Sequence, residues 1–274
     1  MLAKPIPASG EILPAIGIGT YKGFDLADTV ENRTRLGAVL GKLFAAGGSI
    51  VDSSPMYGRA EARAGAALAA LAKRNVAFIM TKVWTSGREA GIRQMRDSLA
   101  FFGTERIALM QIHNLVDWQT HLATLREWQA AGTFRYIGIT HYTTGAFGEV
   151  EAVLQRETVD FLQIPYSITE RAAEARLLPL CREKRVAVIA NVPLGSGRLF
   201  RAAKGKPVPD WARDFGAGTW AQFFLKYLLG HPACTCVIPG TGNPDHAADL
   251  LGAGEGRLPT EAERRRMAET LTAL

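Results

Sequence analysis

Residues 49–84 read SIVDSSPMYGRAEARAGAALAALAKRNVAFIMTKVW, and they contain the repeating unit of the chain. Ile50 and Val51 belong to a short apolar run that ends at Asp52-Ser53-Ser54 and enters the loop Pro55-Met56-Tyr57-Gly58. Residues 61–73 are rich in alanine, the strongest helix former, and 76–83 return to a continuous apolar run. Neither run alternates apolar with polar residues, which marks strands covered on both faces of a parallel sheet.

The same unit recurs on both sides of this stretch. Apolar runs at 16–21, 49–54, 76–83, 107–114, 134–142, 161–167, 186–193 and 236–241 each precede a helical pattern. The helical patterns lie at 33–46, 61–73, 91–102, 120–131, 145–155, 172–184, 219–229 and 244–251. Within 91–102, for example, Ile92, Met95, Leu99 and Phe102 share one face. Eight units without a dividing linker predict one α/β domain over 1–274, closed as a (β/α)8 TIM barrel and not opened into a doubly wound sheet. Residues 4–13, with Ser9-Gly10 between two apolar pieces, predict an N-terminal β-hairpin that plugs one mouth of the barrel. Residues 260–271 predict an extra C-terminal helix.

Hydrophobic residues at 47% and charged residues at 21% describe a globular chain, not a disordered one. The formal charge of +6 is scattered, so no nucleic-acid surface is expected, although a mildly basic surface suits a phosphate-bearing cofactor. The one tight basic run, Arg264-Arg265-Arg266, reads as the solvated face of the last helix. Cys181, Cys234 and Cys236 are odd in number and lack a disulfide spacing, which points to reduced thiols. Cys234 and Cys236 follow His231 without a second ligand pair, so they read as strand packing and no metal is expected. No apolar run is long enough to span a bilayer, and MLAKPIPASGE carries no leader core. A cytoplasmic protein without a membrane partner is expected, as a monomer or weak homo-oligomer. A leader trimmed ahead of residue 1 is the alternative.

In a (β/α)8 barrel the reactive groups collect at the C-terminal ends of the strands. Strand two ends at Asp52 and runs into Tyr57, strand three delivers Lys82, and strand four delivers His113. Three consecutive strands thus bring an ionisable side chain to one mouth. As chemistry the set is proton-transfer machinery. A free tyrosine holds its proton too tightly for neutral pH, a lysine ammonium nearby lowers that affinity, and a paired aspartate keeps a buried lysine charged. A histidine beside the phenol orients a carbonyl oxygen by hydrogen bonding. Tyr57 is then the expected proton donor.

These residues resemble the aldo/keto reductases. Gly19-Thr20-Tyr21 and Asp52-Ser53-Ser54-Pro55-Met56-Tyr57-Gly58 are similar to that family's Gly-Thr-aromatic and Asp-x4-Tyr-Gly patterns. Thr81-Lys82-Val83-Trp84 and Gln111-Ile112-His113 resemble its lysine and histidine segments, and Leu162-Gln163-Ile164-Pro165-Tyr166-Ser167 its strand-six segment. Val192-Pro193-Leu194-Gly195-Ser196-Gly197 and the segment from Cys236 to Pro244 are similar to its strand-seven loop and strand-eight signature. The matches keep their order from about residue 12 to about residue 252.

The resemblance implies an oxidoreductase that transfers hydride from NADPH or NADH to an aldehyde or ketone, the cofactor lying extended across the barrel mouth. Gly19, Thr20 and Tyr21 are implied cofactor contacts, with Asp52, Thr140, His141 and Gln163 at its nicotinamide end and Leu194, Ser196 and Arg198 at its pyrophosphate. Gly240, Thr241, Asn243 and His246 are implied at the adenosine. Tyr21, Trp84, His113 and Trp118 are expected to wall a pocket for a small carbonyl substrate.

The chain departs from the family at four places. Thr140-His141 replaces Ser-Asn, Asn191 replaces a stacking tyrosine, and Gly240 and His246 replace a lysine and an arginine that grip the 2′-phosphate. Weak discrimination for NADPH is therefore expected unless Arg198 or another loop cation compensates. Two other functions fit the same residues: a redox-slow sensor that keeps the cofactor as a ligand, and a lyase using Lys82 as a Schiff base.

Overall fold

The computed structural model describes residues 1–272. Its first strands, β1 (Ala3–Pro5) and β2 (Ile12–Pro14), pair antiparallel with Lys4 opposite Leu13. Glycine at position 10 takes φ +77° in the turn between them. Eight parallel strands follow, in spatial order β3 (Ile18–Gly19), β4 (Ile50–Asp52), β5 (Phe78–Val83), β6 (Ile107–His113), β7 (Phe134–Thr140), β8 (Phe161–Pro165), β9 (Ala187–Asn191) and β10 (Cys234–Val237). Bridges Ile16–Val237 and Gly19–Gly240 close the ring, with Gly19 N donating to Pro239 O at 3.0 Å.

The helices α1 (Val30–Ala45), α2 (Ala60–Ala70), α3 (Arg88–Phe102), α4 (Trp118–Ala130), α5 (Phe147–Arg156) and α6 (Leu177–Glu183) follow β3 to β8. The short helix α7 (Arg198–Ala202) lies in the loop after β9, ahead of α8 (Trp220–Leu229). After β10 come α9 (Pro244–Gly252) and the C-terminal α10 (Glu261–Thr272). This is the expected (β/α)8 barrel with its N-terminal hairpin and extra C-terminal helix.

Strand periodicity sorts the core into two parts. One set of side chains, including Ile50, Phe78, Met80, Leu109, Phe161 and Ile189, fills the barrel interior together with Ile6 and Leu13 of the hairpin. The hairpin therefore plugs the barrel floor. The alternate set, including Val51, Ile79, Met110, Ile139 and Val188, packs outward against the helices. Cys181, Cys234 and Cys236 are all buried thiols.

Three expectations are corrected. Arg264 is not on a solvated face: it is buried, donates to Glu174 Oε1 and to the Tyr166 hydroxyl at 2.9 Å each, and to Tyr227 O at 3.0 Å. Only Arg265 and Arg266 face outward. The predicted helix over 172–184 is broken into a 3-10 turn, Ala172–Glu174, and α6. Pro179 supplies no N–H to a preceding turn, so the helix restarts at Leu177 and leaves the proline in its first turn. α1 starts earlier than predicted, because the Thr29 hydroxyl accepts from Asn32 N and caps it.

Candidate functional site

Six non-glycine residues with positive φ, Lys22, Asn114, Leu115, Asp117, Val192 and Ser196, lie in the loops that follow β3, β6 and β9. For branched Val192, at φ +48°, that conformation is strained, and strain of this kind gathers where a site must hold a shape. All these loops open on the C-terminal mouth of the barrel.

Asp52 is the last residue of β4, Lys82 the penultimate residue of β5 and His113 the last residue of β6. Parallel pairing in register sets them side by side, with Asp52 opposite Met80 and Lys82 opposite Gln111. Tyr57 ends a 3-10 turn, Pro55–Tyr57, whose first N–H groups are capped by Ser54. Gly58 closes that turn at φ +61°, where a Cβ would come within 2.7 Å of Asp25.

The four side chains converge. Lys82 Nζ is fully buried and donates to Asp52 Oδ1 at 2.8 Å and to Ser53 O at 2.6 Å. It also lies 5.1 Å from the centre of the Tyr57 ring. The Tyr57 and His113 rings meet edge to face, with centres 6.0 Å apart. Tyr21 lies 5.0 Å from Tyr57 and Trp84 lies 6.3 Å from His113, both half exposed. They form aromatic flanks to an otherwise polar centre. Trp118 opens α4 and packs half-buried against the outer core, so it joins this ring cluster in no contact among the described residues.

Burial disfavours charge on Lys82, yet the charges and hydrogen bonds of Asp52 and Tyr57 outweigh it and hold its proton more tightly than usual. Burial raises Asp52, with Lys82 and a hydrogen bond from Gln163 opposing. The pair is read as ammonium and carboxylate, because Asp52 and Tyr57 together hold the Lys82 proton more tightly than usual despite its burial. For Tyr57, burial raises the phenol above its ordinary value and Lys82 only partly offsets it. The sequence expectation of a lowered phenol took the lysine into account but not the desolvation.

Burial, then Lys82 and His141, push His113 down to about 3, so its imidazole is neutral at physiological pH. Its Nδ1 lies 2.9 Å from Ser54 Oγ, which already accepts from Met56 N. The Ser54 hydroxyl, which already accepts one N–H, is free to donate to Nδ1, an arrangement in which the ring proton sits on Nε2. The sequence reading passed over Ser54; its position ahead of Pro55, where a helical turn needs a cap, was the available signal.

The residues implied for a nicotinamide cofactor line the same mouth. Thr20 Oγ1 donates to Ser53 Oγ at 2.9 Å, and Gln111 Nε2 donates to Gln163 Oε1 at 2.8 Å. Asn191 Nδ2 donates to His141 O at 3.0 Å, while Asn191 Oδ1 is buried without a partner among the described residues. An amide-bearing ring fits that acceptor, because an unpaired buried carbonyl otherwise costs about 1–3 kcal/mol. Leu194 and Ser196 lie in the loop after β9, and Arg198 begins α7. Further round, the loops after β3 and β10 press backbone to backbone: a Cβ on Gly23 would sit 2.8 Å from Gly242 N. Beside this contact opens a cleft of about 430 Å³, lined by Lys22, Arg35, Thr241, Asn243 and His246 among others. Gly240 lies at the bridge to Gly19. The residues present therefore suit an extended nucleotide.

Comparison with known proteins agrees with this geometry. The model of the family described as "Aldo/keto reductase family" matches residues 15–267. The chain is 29% identical over 246 residues to methylglyoxal reductase YeaE of Escherichia coli, covering 86% of this chain and 84% of that protein. It is 28% identical to 6-dehydroglucose reductase of Agrobacterium fabrum, over 87% and 89% of the two chains. Among solved structures, the thermostable aldo-keto reductase Tm1743 with the inhibitor epalrestat superposes with a TM-score of 0.80 at 25% identity, covering 99% of this chain and all of that one. An aldo-keto reductase from Klebsiella pneumoniae in complex with NADPH gives a TM-score of 0.80 at 24% identity, over 99% and 96%. Among the described residues no helix is long and apolar enough to cross a membrane.

Proposed function

The chain belongs to the aldo/keto reductase family, oxidoreductases that reduce carbonyl groups with NADPH or NADH, and from that premise we propose that Tyr57 is its proton donor. A reduced nicotinamide held at this mouth beside Gln163 and Asn191 would supply the hydride to the carbonyl carbon. Tyr57 gives its phenolic proton to the carbonyl oxygen, and the phenolate left behind is stabilised by the Lys82 ammonium. Asp52 keeps Lys82 charged in a buried place where it would otherwise lose its proton. Neutral His113 donates from Nε2 to the same carbonyl oxygen and sets its direction.

One observation carries this reading. Lys82 Nζ, buried and bonded to Asp52 Oδ1 at 2.8 Å, lies within 5.1 Å of the Tyr57 ring centre. Lysine used as a Schiff-base nucleophile would need a neutral amine open to substrate, and this one is enclosed and charged.

The substrate class follows from the mouth. Tyr21 and Trp84 flank a small polar centre, which favours a short aldehyde or ketone. The relative named as a methylglyoxal reductase makes a small oxoaldehyde the first compound to assay. The test is a panel of carbonyl compounds with each reduced cofactor, followed by loss of cofactor absorbance. Turnover of short aldehydes is expected; no turnover of any aldehyde or ketone would leave the sensor reading in its place. We also place the protein in the cytoplasm as a monomer or weak homo-oligomer, in keeping with three buried free thiols.

A further inference from the structure

Gln111 crosses the barrel interior to reach a strand that is not its neighbour. It lies on β6 beside Lys82 of β5 and Gly138 of β7, and it is fully buried. Gly138 stands two residues past the inward-facing Tyr136, so its own side-chain position faces the interior as well. That position is empty, and a Cβ there would come within 2.7 Å of Phe161 O. Across the gap Gln111 Nε2 donates to Gln163 Oε1 on β8 at 2.8 Å. Gln163 in turn hydrogen-bonds Asp52 on β4, which accepts from Lys82 Nζ at 2.8 Å. One chain of bonds thus runs from Gln111 through Gln163 and Asp52 to Lys82, whose Nζ is 5.1 Å from the centre of the Tyr57 ring.

The direction of every bond in the chain is set from one end. The Asp52 carboxylate only accepts, so Gln163 turns its NH2 toward Asp52 and its carbonyl oxygen toward Gln111. Gln111 must then present its own NH2, and its Oε1 is left buried without a partner among the described residues. Turning the Gln111 amide over would set two carbonyl oxygens against each other. A stranded acceptor of this kind costs about 1–3 kcal/mol, and a leucine at the same place would strand none of its own. The fold thus keeps an amide where an apolar side chain suits the core, and what that amide does there is donate to Gln163.

We propose that Gln111 is a positioning residue for the proton transfer: by fixing the Gln163 amide it keeps a second hydrogen bond on Asp52 and so shapes the Asp52–Lys82 pair beside Tyr57. The proposal rests on the reductase reading for the role of Tyr57, and it assigns Gln111 no contact with the reacting atoms. With Gln163 donating, part of the Asp52 charge is engaged outside the ion pair, and more of the Lys82 field reaches the phenol. Without Gln111 the Gln163 amide is free to turn away. Asp52 then falls back on Lys82 alone, and Tyr57 holds its proton more tightly.

Alkaline pH jumps on the cofactor-free protein test this without turnover. Tyr57 ionisation is the ultraviolet absorbance of each protein minus that of the same protein carrying Tyr57→Phe, recorded before unfolding. Gln111→Leu is expected to move the Tyr57 midpoint up by about 0.5 pH unit. Its thermal midpoint is expected to stay within about 2 °C of wild type, because one stranded carbonyl, on Gln163, replaces another. Gln111→Met, of similar length and also without a donor, is expected to match it. Gln163→Leu is expected to give the same shift, and adding Gln111→Leu to it no more, as two links of one chain require. In turnover Gln111→Leu is expected to lower kcat about threefold and displace the basic limb equally, with KM for the carbonyl little changed. An unmoved midpoint in either Gln111 variant, or shifts that add in the double variant, overturns the proposal. Failure of the reductase reading looks different: the midpoints move as stated and no protein, wild type included, reduces a carbonyl.

Discussion

Ser54 Oγ lies 2.9 Å from His113 Nδ1 while accepting from Met56 N at 3.2 Å, so one hydroxyl joins the loop that carries Tyr57 to the imidazole beside it. The arrangement lets the loop that follows β4 orient the His113 ring, and a Ser54 proton donated to Nδ1 leaves Nε2 as the ring donor. Ser54→Ala is expected to lower kcat/KM about tenfold, the worth of one buried hydrogen bond, with cofactor affinity little changed. Losing a donor at Nδ1 also destabilises the neutral ring, so the acidic limb of the pH profile moves up. Ser54→Thr, which keeps the hydroxyl, restores both. A pH profile identical in Ser54→Ala and wild type would contradict this role.

Lys82→Met removes the charge that partly offsets burial of the Tyr57 phenol. Tyr57 must be protonated to act, so activity declines above its pKa, and removing the ammonium raises that pKa. The expected result is a basic limb displaced to higher pH together with a loss of about 10²–10³ in kcat. Rate measurements across the alkaline range check this; a slower enzyme with an unmoved limb would assign Lys82 to structure alone.

His113 contributes to acid sensitivity as well as to the site. Its folded-state pKa, about 3, lies below the ordinary value of 6.5, so the unfolded chain binds this proton first. Its contribution to stability is therefore constant above about pH 6.5 and declines as pH falls toward about 3, with a slope of about 1.4 kcal/mol per pH unit. Denaturant unfolding of wild type and His113→Asn over that window is expected to give a shallower slope for the variant.

Arg264→Ala is expected to destabilise the fold by about 2–3 kcal/mol without touching the mouth, because it leaves the part-buried Glu174 carboxylate to the Tyr166 and Tyr227 hydroxyls without its buried cation. Chemical denaturation measures the loss. A change below about 0.5 kcal/mol would place the arginine among ordinary surface residues.

These particulars show why some features were legible in the sequence and others were not. Asp52, Lys82 and His113 were readable because each sits at or near the end of an apolar run, and the barrel sends every strand end to one place. The hairpin plug was readable from two short apolar pieces around Ser9-Gly10 for the same local reason. Arg264 was not, because its burial is decided by Tyr166, Glu174 and Tyr227, all distant in sequence, while its neighbours Arg265 and Arg266 are what a surface helix looks like. The direction of the Tyr57 shift depended on burial, which no residue pattern states.

The most direct test is single-turnover reduction of a short aldehyde by Tyr57→Phe with the cofactor already bound. Removing the phenol deletes the proton donor and leaves the Lys82–Asp52 pair in place. Cofactor affinity is expected to stay within about twofold of wild type while the chemical step slows by about 10³ or more. A Tyr57→Phe variant that oxidises its bound cofactor at the wild-type rate would contradict the account.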